Sequence, residues 1–229
     1  MGMDEISHIR ASEGNSKESV WIAIMKKFLY KIWAKFLTIF GDIKIFKWPM
    51  FVVYDDSEFG ITGEKTIEIM EILQPGDVIL RGFDCYADGA FIPDSLKFSH
   101  GAVYVGDNKV IHVMAEGVMK TDIVEFTRCD RIAIMRPRKY QKRAISKAKK
   151  FLKDNVPYDF IFENNASALY CFELCSECYD KLDIPKKTVS KFLGLIKKKD
   201  VVLAESFFES EDFDCIFQYN PKFNIDFRK

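Results

Sequence analysis

Three cysteines crowd into one short stretch, Cys171-Phe-Glu-Leu-Cys175-Ser-Glu-Cys178, and two of the three histidines, His100 and His112, sit in neighbouring apolar runs well upstream. Sulfur and imidazole are the groups of nucleophilic acyl transfer: a thiolate attacks a carbonyl while an imidazole carries the proton. The cysteine spacing also matches, as a string, a loop that holds an iron–sulfur cluster. That loop is irregular, whereas this segment reads as helix, where positions i, i+4 and i+7 form one inward stripe. A structural zinc would want a fourth ligand at metal spacing, and no histidine lies near in sequence. The expectation is therefore a thiol chemistry with no metal and no organic cofactor.

Within the stretch, Cys171 opens the helix. The unpaired N–H groups and the dipole of a first turn favour a thiolate there and should lower the thiol's pKa. His100 begins a strand, in Phe98-Ser-His-Gly-Ala-Val-Tyr-Val-Gly106, so a rigid element presents it. A third group should then hold the imidazole's tautomer. A tight two-residue loop at Asp107-Asn108 would pair His112 with Val103, on the face away from His100. A three-residue loop ending in a bulge would pair His112 with Tyr104 and Glu116 with His100, all on one face. Both His112 and Glu116 are candidates at this stage.

The elements that must carry these groups follow from periodicity and punctuation. Glu64–Leu73 predicts a helix, Gln74-Pro-Gly-Asp77 a turn pinned by its aspartate, and Val78-Ile-Leu80 a buried strand. Phe98–Val105 and Lys109–Met114 predict a hairpin around Gly106-Asp-Asn108. Phe51–Tyr54, Arg131–Met135, Val201–Leu203 and Asp214–Phe217 predict further strands. Lys139–Asp154 and Leu169–Leu182 predict helices, the second stopped by Asp183-Ile-Pro185. Strands and helices interleave irregularly, which favours an α+β fold over a doubly wound parallel sheet.

The chain of 229 residues carries 34 basic and 34 acidic side chains. Zero net charge argues against a dedicated nucleic-acid binder. Residues 1–18 lack the basic start and apolar run of a signal peptide, and the six cysteines are sparse for a secreted scaffold, so a cytoplasmic location with reduced thiols is expected. Between Ser19 and Gly41 there is no acidic residue; Lys27, Lys31 and Lys35 recur every fourth position beside Lys26, amid tryptophan, phenylalanine, isoleucine and leucine. On a helix this is a basic stripe beside a wide apolar face. It suits burial against the main domain or a twin subunit in a homodimer, or peripheral contact with a membrane surface through residues 19–41. The domain expectation is a polar tail and amphipathic helix over 1–45 and a catalytic domain over 46–229.

Pro-Gly-Asp77-Val-Ile-Leu, Ser-His100-Gly-Ala-Val-Tyr-Val-Gly-Asp-Asn-Lys-Val-Ile-His112, Ala-Glu116-Gly-Val, Pro-Tyr158-Asp-Phe and Tyr-Cys171-Phe-Glu-Leu occur in that order. Together they resemble the YiiX/YebB-like branch of the NlpC-type cysteine peptidase superfamily, from about Trp48 to about Tyr219. Lecithin:retinol acyltransferase-like proteins share its order, with the histidine strand before the cysteine helix. The resemblance implies a circularly permuted papain-like fold, an antiparallel sheet or small barrel packed against helices. It implies Cys171 as nucleophile, His100 as general base and His112 as the third polar residue, with Glu116 in reserve. Tyr158, Phe172 and Ser99 would line the substrate; relatives commonly carry serine where Phe172 stands. The implied partner is a peptide or a lipid amide or ester, cleaved by an amidase or peptidase, or transferred by a lipid-type acyltransferase. A papain-like binding module with an idle cysteine is the non-enzymatic rival.

Overall fold

The computed structural model describes residues 21–37, 59–83, 98–162, 167–189 and 199–220. The expected strand at Phe51–Tyr54 lies outside them. The chain separates into two units, residues 1–40 and 41–229. In the first, residues 21–37 form a helix, α1.

The second unit is built on six strands: β1 (Val78–Gly82), β2 (His100–Gly106), β3 (Lys109–Met114), β4 (Gly117–Asp122), β5 (Arg131–Pro137) and, taking the edge position late in the chain, β8 (Phe213–Tyr219). Their order is β4-β3-β2-β1-β5-β8, and every pairing is antiparallel. The short strands β6 (Lys187–Val189) and β7 (Lys199–Val201) form a separate pair. Apolar β1 lies near the middle, with Val78 between Val103 of β2 and Met135 of β5.

Both faces of this sheet are covered, so its strands read as apolar runs rather than as alternating ones. On one face Val78, Leu80, Val103, Ile111 and Val113 pack with α4 (Gln141–Lys153), α5 (Cys171–Cys178) and α6 (Ala204–Glu209). On the other, Ile79, Ala102, Tyr104 and Val110 pack with α2 (Gly63–Ile72) and α3 (Ile123–Phe126). Helix α4 turns Ala144, Ala148 and Phe151 inward, while Lys147 pairs with Glu177 and Asp180 at 3.1 and 3.3 Å. The expected mixed α+β architecture is present; β4, β6, α3 and α6 are additions to the sequence reading, and the strand expected at Val201–Leu203 ends at Val201 as β7. The helix expected to run to Leu182 stops at Cys178. Tyr179 leaves it, and its buried hydroxyl donates to the carbonyl of Gly76.

That contact ties the cysteine helix to the turn ahead of β1, and Asp77 holds the same turn. Its carboxylate accepts the Gln74 N–H at 2.8 Å and receives Arg136 of β5 through both oxygens, at 2.9 and 2.8 Å. Arg136 also donates to the Ile72 carbonyl at 2.7 Å, so one guanidinium joins α2, the turn and β5. Asp77 is 1% exposed, and removing one partner of a buried pair strands the other charge. Asp77→Ala should lower the unfolding free energy by about 3 kcal/mol in urea titration; a loss below about 1 kcal/mol would mean the turn is held by other contacts.

Candidate functional site

His100 and His112 meet because of an irregularity in the β2–β3 hairpin. Asp107 and Asn108 form a two-residue loop with φ of 53° and 55°, and Gly106 before them has φ of 89°. Such positive angles suit the right-handed twist of a hairpin and explain the Gly-Asp-Asn sequence. Gly106 faces Lys109, yet Tyr104 faces Val110: Val105 is one residue too many on β2. An unbroken ladder would have sent His112 to the far face. The bulge shifts the register by one and returns it to the face of His100. The loop is thus the tight one and the bulge lies inside the strand, a combination of the two sequence-level alternatives.

The imidazoles then form a chain. His100 Nε2 lies 2.8 Å from His112 Nδ1, and His112 Nε2 lies 2.7 Å from Thr121 Oγ1. Thr121 belongs to β4, where His112 pairs with Met119, so the hydroxyl approaches from the diagonal position two residues on. Phe126 of α3 packs its ring on both imidazoles, centroids 5.8 and 5.4 Å away. The guanidinium of Arg81, opposite His100 on β1, lies 4.2 Å above that same ring and donates to the Phe126 carbonyl at 3.2 Å.

Cys171 reaches this strand from the other side. It is the first residue of α5, after the extended Tyr170. The β2–β3 ladder pairs residues only as far as Val103 and Ile111. Beyond that point the thiol takes up backbone groups of β2 itself. It donates to the Ser99 carbonyl at 3.7 Å, and the backbone of Gly101, Phe172 and Cys171 around the sulfur acts to lower its pKa. The sulfur therefore sits against the main chain on either side of His100, while no hydrogen bond joins it to an imidazole among the described residues. Close approach of α5 requires Gly101: a Cβ there would fall 3.0 Å from the Phe172 ring and 3.3 Å from Cys175 Sγ.

The remaining expected site residues divide. Ser99 contributes its carbonyl. Tyr158 bridges Leu169, two residues before the cysteine, and its ring lies tilted against Phe160 at 4.8 Å. Phe172, expected to line the substrate, is 3% exposed and packs into the core under β2. Glu116 lies exposed in the β3–β4 turn, past the end of β3 at Met114, because the bulged register brings Met114 and not Glu116 level with His100; no hydrogen bond joins it to either imidazole. Thr121 stands in the place that Glu116 was expected to compete for. It was missed because β4 was missed, although Glu116-Gly117 after an apolar run is a turn signal that announces another strand. Arg81 and Phe126 were missed for a different reason: nothing local marks them.

Burial sets the protonation of the whole group. His100 is held well below its ordinary 6.5, first by burial and then by the charge of Arg81 and by His112. His112 is pushed down to about 3 by burial and then by Arg81. The Cys171 thiol is pushed up to about 11: burial outweighs the surrounding backbone and the charge of Arg81, and with them the helix start that was expected to lower it. The resting set is neutral thiol with neutral imidazoles. Glu173, in the first turn of α5, accepts the Tyr170 N–H at 3.4 Å, and burial raises its carboxyl to about 7. Cys175 and Cys178 are raised further by burial, as befits core thiols. Among the described residues no group of three or more histidine, cysteine or acidic side chains is placed to hold a metal ion.

A cysteine at a helix start, seated against a histidine strand that precedes it in the chain, defines a papain-like arrangement in permuted order. The family model described as permuted papain-like amidase enzyme, YaeF/YiiX, C92 family, matches residues 72–217, and the chain belongs to that family. Among solved structures, the crystal structure of metalloprotein YiiX from Escherichia coli O157:H7 is similar in fold, with a TM-score of 0.55 at 18% identity over 65% of this chain and 98% of that one. No curated protein matches the sequence.

Two measurements follow from the neutral resting state. Iodoacetamide tracks the thiolate fraction, so alkylation of Cys171, assigned by peptide mass, should climb about tenfold per pH unit through neutrality toward about 11; a plateau across neutral pH would indicate a preformed thiolate. As pH falls from 6.5 toward 3, the unfolded chain binds protons that the folded imidazoles refuse. Stability should therefore decline through that window, by up to about 1.4 kcal/mol per pH unit for each imidazole. His112→Gln should flatten the slope, and an unchanged slope would mean that the imidazole titrates normally.

Proposed function

We propose that this protein is a cysteine amidase that works through an acyl-enzyme on Cys171, with His100 as the proton carrier. The observation that supports it is the sulfur's seat at the backbone flanking His100, whose Nε2 is already engaged by His112. The hydrogen-bond chain has two self-consistent settings. In one, His100 Nε2–H donates to His112 Nδ1 and His112 Nε2–H donates to Thr121, leaving the lone pair of His100 Nδ1 free as a base. In this setting catalysis requires substrate binding to free the thiol from the Ser99 carbonyl and bring it to that lone pair around the start of β2, where His100 is the first residue. His100 takes the proton as sulfur attacks the carbonyl carbon. The N–H groups at the start of α5 stabilise the oxyanion, each by about 3 kcal/mol. The imidazolium returns its proton to the leaving amine, and water, deprotonated by His100, then hydrolyses the thioester.

His112 and Thr121 are neutral, so they orient the imidazole without the charge compensation a carboxylate would give. This suits proton transfer concerted with attack better than a standing ion pair. Family membership supports a peptide-type amide as substrate. A lipid amide or ester is the second reading, favoured by the basic apolar helix α1.

p-Nitrophenyl acetate tests the chemistry without knowledge of the natural substrate. The expected result is a burst of nitrophenolate and an acetyl adduct on Cys171 by intact mass, both absent in Cys171→Ala. Deacylation should be slowed at least about a hundredfold in His100→Ala and about tenfold in Thr121→Val. A burst that survives Cys171→Ala would overturn the assignment.

A further inference from the structure

We infer that α1 is a membrane-surface helix that lies flat on anionic lipid. Trp21, Met25, Leu29, Ile32 and Phe36 recur at intervals of four or three, which aligns them along one side of a helix. Of these, Trp21, Met25, Leu29 and Ile32 are open to solvent, from 68% at Trp21 to 52% at Ile32. Lys27, Lys31 and Lys35 form a row along another side. A helix of this length, rich in aromatic and β-branched residues, is marginal in water by itself, so a surface that covers the apolar side also stabilises it.

Charge selects that surface. The segment from Ser19 to Gly41 holds lysines and no acid, so it complements an anionic plane. Pairing with a second copy would set like charges side by side with no acidic residue to answer them. No described helix is long and apolar enough to cross a membrane, and a span would have to bury the four lysines. An in-plane pose buries the apolar side at the acyl boundary and leaves the lysine stems to reach headgroup phosphates. This does not depend on the amidase reading. If both hold, the helix holds the enzyme on the surface where a lipid-borne amide would be found.

The three tryptophans, Trp21, Trp33 and Trp48, all lie in or near this segment, so intrinsic emission reports on it selectively. The full chain is mixed with phosphatidylcholine vesicles, with and without phosphatidylglycerol, and followed by co-sedimentation and tryptophan emission. The expected result is at least about tenfold stronger partition onto the anionic vesicles, weakened by salt, with a blue shift on binding. Leu29→Glu/Ile32→Glu should abolish binding while the p-nitrophenyl acetate burst persists, which shows the second unit still folded. Lys27→Glu/Lys31→Glu should remove the preference for anionic lipid. Three results would overturn the inference: equal partition onto both vesicles; emission already blue-shifted and indifferent to lipid; or a dimer, seen by light scattering, that Leu29→Glu/Ile32→Glu dissolves.

Discussion

One extra residue in a strand governs the site. Val105 has no partner on β3, and this alone decides which face His112 occupies. Side chains alternate with period two, so a hairpin with the same loop and no bulge would set the two histidines back to back. The Gly106-Asp107-Asn108 turn fixes where the hairpin closes, and the bulge then corrects the parity. Everything downstream depends on it: the His100–His112 hydrogen bond, the access of Thr121 from β4, and the shared packing of both rings on Phe126.

The second governing effect is the contest between helix start and burial at Cys171. The backbone around the sulfur, the positive end of α5 and the charge of Arg81 act in favour of a thiolate. Enclosure in the core acts against it and wins, leaving the pKa at about 11. The same enclosure, with Arg81 nearby, keeps the imidazoles neutral. A charged pair would have to be desolvated, and Arg81, which favours the thiolate, opposes the imidazolium; in a dry site the neutral form costs less. A substrate that enters and reorganises the thiol's contacts changes that balance at the moment of reaction.

The structural devices around the site serve one geometric end. Gly101 lets α5 come down onto β2, Tyr179 fastens the far end of α5 to Gly76, and the Asp77–Arg136 pair fixes the turn that carries Gly76. The sulfur's position relative to His100 is therefore set by the sheet, with little left to the loops. α1 adds a different physical resource, apolar area and positive charge in a segment that the sheet does not require.

Sequence alone determined the parts list and its order. Apolar runs marked β1, β2, β3 and β5, and the helical periodicity after Leu169 put Cys171 at a helix start with its histidine upstream, the order that marks the permuted family. Those readings succeeded because they rest on local periodicity and on the chemistry of single residues. Tertiary structure decided the pairing. Whether His112 or Glu116 would stand beside His100 turned on one bulged residue, whose cause is spread over two strands and a loop. Thr121, Arg81 and Phe126 entered the site through strand register and helix packing, with no local pattern to mark them. The protonation states followed from enclosure, a sum over many distant neighbours, which is why the helix start by itself pointed in the wrong direction for the thiol.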